Sequence, residues 1–347
     1  MTVDTTFMKS SPSLLLVLLP LFLALPLLSG CGCGFDCNDD DDENLPATLS
    51  IGLSDSQPED LAEVVIEIDS IILKRDNANK ADVEINTFTV PELNAIDAET
   101  IQVNLLDYIG VTQVLVVENL EIEADFYDSI VINVIDGDEN KSYVIEDETG
   151  TQKILTVDNS VLNLSGRQIL SGENSITIEF ELARALQYKA ANDTYLLSTE
   201  GVRVVDTILS AQLVGKIDSS LFNTAAPCDE KADPEVGNRV YLYQGIGLDL
   251  EDLADVFSLE SDNSAGKLAP YSVATLFNNA PANRWEYYFA YLPAGDYTLA
   301  FSCDTEEDGS VNYDALTIPL PSIQFVEISL SQSEQFECDL TEEEPNC

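Results

Sequence analysis

The sequence predicts an all-β protein: two β-sandwich domains behind a cleaved lipoprotein signal peptide and a flexible acidic tether. Three observations carry the prediction. Apolar and polar residues alternate over many short runs, turn-forming residues cluster between those runs, and the one long apolar stretch is confined to the N-terminal region. The expected division is signal peptide at 1–30, lipidated tether at 31–46, a first sandwich at 47–208 and a second, disulfide-containing sandwich at 209–347.

In the leader, Lys9 supplies a minimal positive end, Leu14 to Leu28 is a nearly unbroken apolar run, and the small residues Ser29 and Gly30 precede Cys31. The run is shorter than the roughly 20 residues that a spanning helix needs, and Pro20 and Pro26 interrupt it. The tetrad Leu28, Ser29, Gly30, Cys31 resembles a bacterial lipobox. That resemblance implies that Cys31 is acylated and becomes the first mature residue, so that the membrane is a partner through its lipid. An ordinary cleaved signal, with Cys31 as one more disulfide cysteine, is the alternative. Gly32 in place of Asp is similar to lipoproteins sorted to the outer membrane, which sets the expected location as the envelope of a Gram-negative bacterium. Met1 to Phe7 carry no positive charge, as an overextended start would.

Sixty-three acidic residues face 15 basic ones, and losing Asp4 together with Lys9 leaves the charge of −48 unchanged. Phosphate binding needs clustered Lys and Arg, so a nucleic-acid partner is excluded, and anionic headgroups repel the globular part. Calcium or cationic partners stay open beside a solvated acidic surface suited to salty surroundings. No histidine occurs. Its absence removes the commonest general base, the usual zinc ligand and any Ser-His-Asp or Cys-His arrangement. A glycosidase needs only two carboxylates, but with 63 acids any spacing arises by chance, so no catalytic residue or cofactor is assigned and no enzyme is expected.

Cys31 to Asn44, CGCGFDCNDDDDEN, joins glycines to an acid run and reads as a charge-extended tether. Cys33 and Cys37 belong to an exported chain, where a local disulfide is favoured over a metal pair lacking further ligands. Asp39 to Glu43 reads as solvated, with loose calcium binding as the alternative.

From Ala47 the strands begin. Leu49, Ile51 and Leu53 alternate, and so do Val64, Ile66 and Ile68, with a turn at Ser54 to Asp60 between them. Further strands are expected at Ile101 to Leu105, Gln113 to Val117, Ser129 to Ile135, Ser142 to Glu146, Gln152 to Val157, Ser175 to Leu182 and Tyr195 to Asp206. In Ser175 to Leu182 the residues Ile176, Ile178, Phe180 and Leu182 face a core, while Thr177, Glu179 and Glu181 face water.

The segments IGLSDSQPEDLAEVVIEIDSIIL, FYDSIVINVIDGDENKSYVIEDETGTQKILTV and ITIEFELARALQYKAANDTYLLSTEGVRVVD, in that order, resemble the bacterial lipoprotein module catalogued as domain of unknown function 4382. The resemblance covers about Ala47 to Asp206. It implies an envelope lipoprotein with a β-sandwich of transthyretin or immunoglobulin type and brings no catalytic residues.

Asp136, Asp138 and Asn140 form D-x-D-x-N in an expected hairpin, a spacing of oxygen ligands that a calcium loop can use. Lys141 stands where the loop glycine belongs and Asp147 where a bidentate Glu belongs, so a plain acidic turn is preferred.

In the second unit Arg239 to Gln244 is a strand and Leu248 to Phe257 a short helix. Trp285, Tyr287, Phe289 and Tyr291 alternate on one face, with Tyr288 on the other. The stripe reads as core, and a sugar-stacking platform is the alternative. YLPAGDYTLAFSC, Tyr291 to Cys303, is similar to the turn and strand of carboxypeptidase-regulatory-like or prealbumin-like β-sandwiches, which are accessory modules. Gly295 is expected in a tight hairpin, with Tyr297, Leu299 and Phe301 turned inward. Asp304 to Asp314 reads as a solvated acidic loop. Cys228, Cys303, Cys338 and Cys347 all fall in this half, so two disulfides are expected there, with the pairing open.

The reading is therefore a membrane-anchored, non-enzymatic envelope lipoprotein that binds an envelope protein or glycan or serves structure. Its alternative is a carbohydrate-binding or calcium-dependent adhesion module at the cell surface.

Overall fold

Leu49, Ile51 and Leu53 are completely buried, and the strand that carries them, Pro46–Ser56, lies inside a four-stranded sheet. It pairs in parallel with Gly172–Glu181, Leu53 opposite Ile178, and antiparallel with Val114–Glu123. Val202–Asp206 completes that sheet beyond Gly172–Glu181. The 14-residue strand Leu61–Lys74 organises a second sheet of nine strands. Its length lets it take four antiparallel partners: Val83–Ile85, Ile101–Asn104, Phe126–Val134 and Tyr143–Glu146. The apolar faces of the two sheets meet in one core, where Ile51, Ile178 and Phe180 join Ile66, Ile68 and Ile132.

This computed structural model describes residues 46–347 apart from 57–60, 78, 148, 224–227, 229–230, 232, 259–263 and 311. The leader, the tether as far as Leu45, and with them Cys31, Cys33 and Cys37, lie outside the described residues.

Two further four-stranded sheets make the C-terminal sandwich. One runs Phe277–Asn279, Arg284–Leu292, Ala211–Ile217, Gln335–Glu337, and the other Ser272–Thr275, Arg239–Gln244, Gly295–Ser302, Phe325–Leu330. Leu213, Tyr287 and Phe289 of the first pack on Leu242, Leu299 and Phe301 of the second. Disulfides Cys228–Cys303 and Cys338–Cys347 staple this half. Among the described residues no strand pairs across 207–210, yet the described chain forms one compact unit.

Several expectations are corrected. Tyr195 to Asp206 is two strands in different sheets, Thr194–Leu197 and Val202–Asp206. The chain turns at Gly201, where a Cβ would lie 2.5 Å from the Glu181 carbonyl oxygen, so only glycine fits. Asp136 to Asn140 is no hairpin: it connects Phe126–Val134 and Tyr143–Glu146, which pair with successive parts of Leu61–Lys74, residues 68–74 and 61–65, rather than with each other. Leu248 to Phe257 is not helical. Leu253, Ala254, Val256 and Phe257 are all buried, a continuous run rather than a helical stripe, and Ala254 N–H donates to the Leu268 carbonyl at 3.1 Å. This segment covers the outer face of the Arg239–Gln244 sheet in a small core with Tyr241, Tyr243 and Val273. Gly295 makes no hairpin either. Arg284–Leu292 and Gly295–Ser302 belong to different sheets, so Pro293 and Ala294 form an arch between them, and Gly295 is not among the positive-φ residues.

The largest correction concerns Thr177, Glu179 and Glu181. Expected toward water, they are 0%, 1% and 0% exposed, because the outward side of Gly172–Glu181 is covered by the C-terminal sandwich rather than by solvent.

Candidate functional site

The covered side is a polar junction. In the parallel register Ser54 and Ser56 stand beside Glu179 and Glu181, and Ser56 Oγ donates to Glu181 Oε1 at 2.5 Å. From across the junction Ser272 Oγ donates to Glu181 Oε2. Arg203 extends Nη1 to within 3.6 Å of Glu181 Oε2 and Nη2 to within 3.8 Å of Glu179 Oε1. Its guanidinium also lies 5.0 Å from the ring centre of Tyr271, a cation–π contact with the C-terminal half. Asp55 is completely buried beside this group.

Burial sets the electrostatics. It pushes the Glu179 carboxyl up to about 8; Arg203 pulls it down, and neighbouring Glu181 raises it further. Asp55 is raised well above the usual carboxylate range, first by burial and then by Glu179 and Glu181. Both shifts favour the protonated carboxyl, which reduces the buried negative charge around one guanidinium.

Aromatic residues close the junction. Tyr291 Oη donates to the Val111 carbonyl at 2.9 Å. A bulge between Ala211 and Leu213 in the pairing with Arg284–Leu292 turns Tyr291, at φ +50°, out of the expected stripe and against Val205. Tyr288 lies against Gly110, whose φ is +68° and where a Cβ would come within 2.2 Å of the ring. The space left among Ser56, Gly110, Glu179 and Arg203 is about 10 Å³, room for one water at most. Three carboxylates thus come together in a place no substrate reaches, with no access for general acid–base chemistry, and the links between the two halves are Glu181 to Ser272 and Arg203 to Tyr271.

Among the described residues, open depressions lie on both sandwiches. A trough of about 610 Å³ lies where Pro46 enters its sheet, beside Ile122 and Gly172. A cleft of about 230 Å³ lies on the outward face of the Ala211–Ile217 and Arg284–Leu292 pair, lined by Lys216, Phe277, Arg284, Glu286, Tyr288 and Glu337.

The residues singled out in the sequence are dispersed. Asp136 accepts from the Val157 amide and from Ser160 Oγ, both at 2.6 Å, so each of its oxygens already has a partner. Asp138 accepts from the Asn140 amide at 2.9 Å, an Asx turn. No group of three metal-ligating side chains occurs among the described residues. Trp285 is half-buried with its ring edge-on to Phe222 at 5.5 Å, and Tyr287 and Phe289 are core. In the acidic loop expected to be solvated, Asp308 is buried, accepting from Arg239 Nη1 at 2.7 Å, Tyr241 Oη at 2.6 Å and the Val256 amide at 2.9 Å. Among the described residues no helix is long and apolar enough to cross a membrane.

The junction acids were missed because alternation alone places Glu179 and Glu181 outside. One signal was present: in a chain with 15 cations, Arg184 and Arg203 both fall near this acidic strand.

The family model for a domain of unknown function, DUF4382, matches residues 46–199, the N-terminal sandwich almost in full. No curated protein matches the chain. Among solved structures the chain is similar to a leucine-rich repeat protein from Bacteroides thetaiotaomicron (7% identity, TM-score 0.19), with 84% of this chain aligned to 25% of that one. It is also similar to a candidate cell adhesion protein from Bacteroides fragilis (8%, TM-score 0.20, 85% and 92% covered). A third is the major pilin of Streptococcus pyogenes (11%, TM-score 0.17, 85% and 97% covered). The chain spans a quarter of the leucine-rich repeat protein's length. Overlaps this loose carry no argument about activity, and function has to come from the chain's own residues.

Proposed function

We propose that this chain is a non-enzymatic envelope lipoprotein, held by lipid on Cys31 at the outer membrane, whose two sandwiches act as one rigid binding or structural body. The observation that supports it best is the sealed junction. Its buried carboxylates leave no room for a substrate, and Glu181 bonds across it to Ser272. The lipobox-like tetrad ending in Cys31 supports the anchor, and the charge of −48 argues against a nucleic-acid partner. Several acyl chains on one cysteine, at about 0.8 kcal/mol per buried methylene, would make attachment near-permanent. Metabolic labelling with a palmitate analogue tests the reading: wild type labels and Cys31→Ala does not, and an unlabelled wild type overturns it.

A second reading, a carbohydrate-binding module at the cell surface, is favoured by one observation: the half-buried rings of Phe277 and Tyr288 line an outward cleft. Its calcium-dependent form has less support. Calcium at Asp136, Asp138 and Asn140 would have to displace the hydrogen bonds that hold the Asp136 carboxylate.

A further inference from the structure

Trp285, Tyr287 and Phe289 turn inward, so period two sends Arg284, Glu286 and Tyr288 to the opposite, outward face of the same strand. Pairing extends the row sideways. Phe277 lies opposite Glu286, which lies opposite Lys216, while Val214 separates Tyr288 from Glu337. The result is the cleft of about 230 Å³, with an aromatic corner on one side and ion pairs on the other. The Phe277 and Tyr288 rings meet at 63° with centroids 5.2 Å apart.

The cleft is held in shape before any ligand arrives. Tyr288 is wedged against Gly110. Lys216 Nζ is fixed between Glu337 Oε1 at 2.7 Å and Asp339 Oδ2 at 3.1 Å. Arg284 pairs with Glu286, which also accepts from Asn279 Nδ2 at 3.0 Å. Side chains already ordered by one another lose little entropy on binding.

We propose that this cleft binds a neutral sugar residue, its C–H face packed in the Phe277–Tyr288 corner and its hydroxyls bonded to the Lys216–Glu337 and Arg284–Glu286 pairs. The proposal rests on the carbohydrate-binding reading and names its site. Three features select this class. A flat ring with an apolar face suits an aromatic corner. Hydroxyls both donate and accept, matching alternating carboxylates and cations. Two cations beside the carboxylates of Glu286, Glu337 and Asp339, in a molecule of charge −48, disfavour sulfated or uronic sugars. The volume lies below the roughly 300 Å³ at which drug-sized pockets begin, so the cleft takes one sugar unit of a chain.

The test uses the detergent-solubilised full chain on a printed array of neutral, amino-sugar and acidic oligosaccharides, followed by calorimetric titration of the best neutral ligand. Neutral glycans are expected to bind. Phe277→Ala should weaken them at least tenfold and Arg284→Ala about fivefold, with unchanged circular dichroism and melting temperature. A sulfated form of the same glycan should bind more weakly than its neutral parent. If neutral glycans bind equally to both variants, the adhesion reading stands and this site is overturned. If only acidic glycans bind, or none does, the site is overturned as well, and labelling of Cys31 separately decides the envelope reading.

Discussion

Arg203 stands directly opposite Glu179 in the antiparallel register of their sheet, and its guanidinium reaches Glu179 at 3.8 Å and Glu181 at 3.6 Å. One cation therefore serves two buried acids on its own sheet and the Tyr271 ring from the other sandwich. Breaking a buried pair by removing one partner typically costs about 3–5 kcal/mol, because the other charge stays desolvated. Arg203→Met is expected to lose that much in urea unfolding at pH 7. A loss below about 1 kcal/mol would show that the cation is not holding the junction.

The same group makes stability pH-dependent. Glu179 has an ordinary value of 4.5 and is pushed up to about 8 in the folded chain, first by burial. Between those values the folded state keeps a proton that the unfolded state has lost. Stability therefore falls as pH rises from about 4.5 to about 8 and levels off above. Asp55, raised in the same direction, adds to the slope. Glu179→Gln removes one titrating group and should flatten the decline by roughly 1–4 kcal/mol between pH 5 and pH 9. Melting temperatures across that range check it, and parallel curves for the two proteins would refute it.

Contacts around Gly110 test whether the aromatic closure matters. Gly110→Ala places a Cβ against the Tyr288 ring at a φ of +68°, a clash combined with backbone strain, and should cost about 2–4 kcal/mol. Tyr291→Phe removes only the hydroxyl that donates to Val111 and should cost about 1 kcal/mol. Chemical denaturation should preserve that ranking.

Much of this was legible in the alternation of residues. Leu49, Ile51 and Leu53, then Val64, Ile66 and Ile68, then Tyr297, Leu299 and Phe301 lie in strands and face cores as their alternation predicts, although the residues interleaved within the last two sets are buried as well. Period two reports that a strand has two faces, not what covers each. Glu179 and Glu181 look solvent-facing until a second sandwich packs on them, and that packing depends on residues some 90 positions later, such as Ser272. Local pattern also mistook the Asp304 to Asp314 loop, since nothing in its composition reveals that Asp308 is bonded to Arg239 and Tyr241. Connections failed for the same reason. Whether Gly295 turns a hairpin or an arch is decided by which strands pair.

Asp308 should behave as an anchor for that loop. Its carboxylate joins Arg239, Tyr241 and the Val256 amide, linking the sheet to the irregular segment covering it. Asp308→Ala leaves Arg239 without this buried partner and should cost about 3–5 kcal/mol. Asp308→Asn keeps one acceptor oxygen and should cost less. Proteolysis of the 245–271 region should rise in parallel.

The disulfides should contribute unequally. Cys228–Cys303 closes a loop of 75 residues and Cys338–Cys347 one of 9. A cross-link acts chiefly by removing conformations from the unfolded chain, and more are removed when the closed loop is longer. The chain-entropy relation gives about 4.5 kcal/mol for the first and about 2.6 kcal/mol for the second. Cys228 and Cys303 are also buried beside the core of the C-terminal sandwich, so Ser at either position adds a desolvated hydroxyl to the loss. The double variant Cys228→Ser, Cys303→Ser should therefore unfold at a markedly lower denaturant midpoint than Cys338→Ser, Cys347→Ser. The N-terminal sandwich has no cysteine of its own among its described residues, so reduction acts on it only through the junction. Glu179 should consequently keep its pH-dependent contribution as long as Ser272 and Tyr271 remain in place. A reduced protein that loses this dependence while retaining N-terminal β structure by circular dichroism would show that the junction opens before that sandwich does.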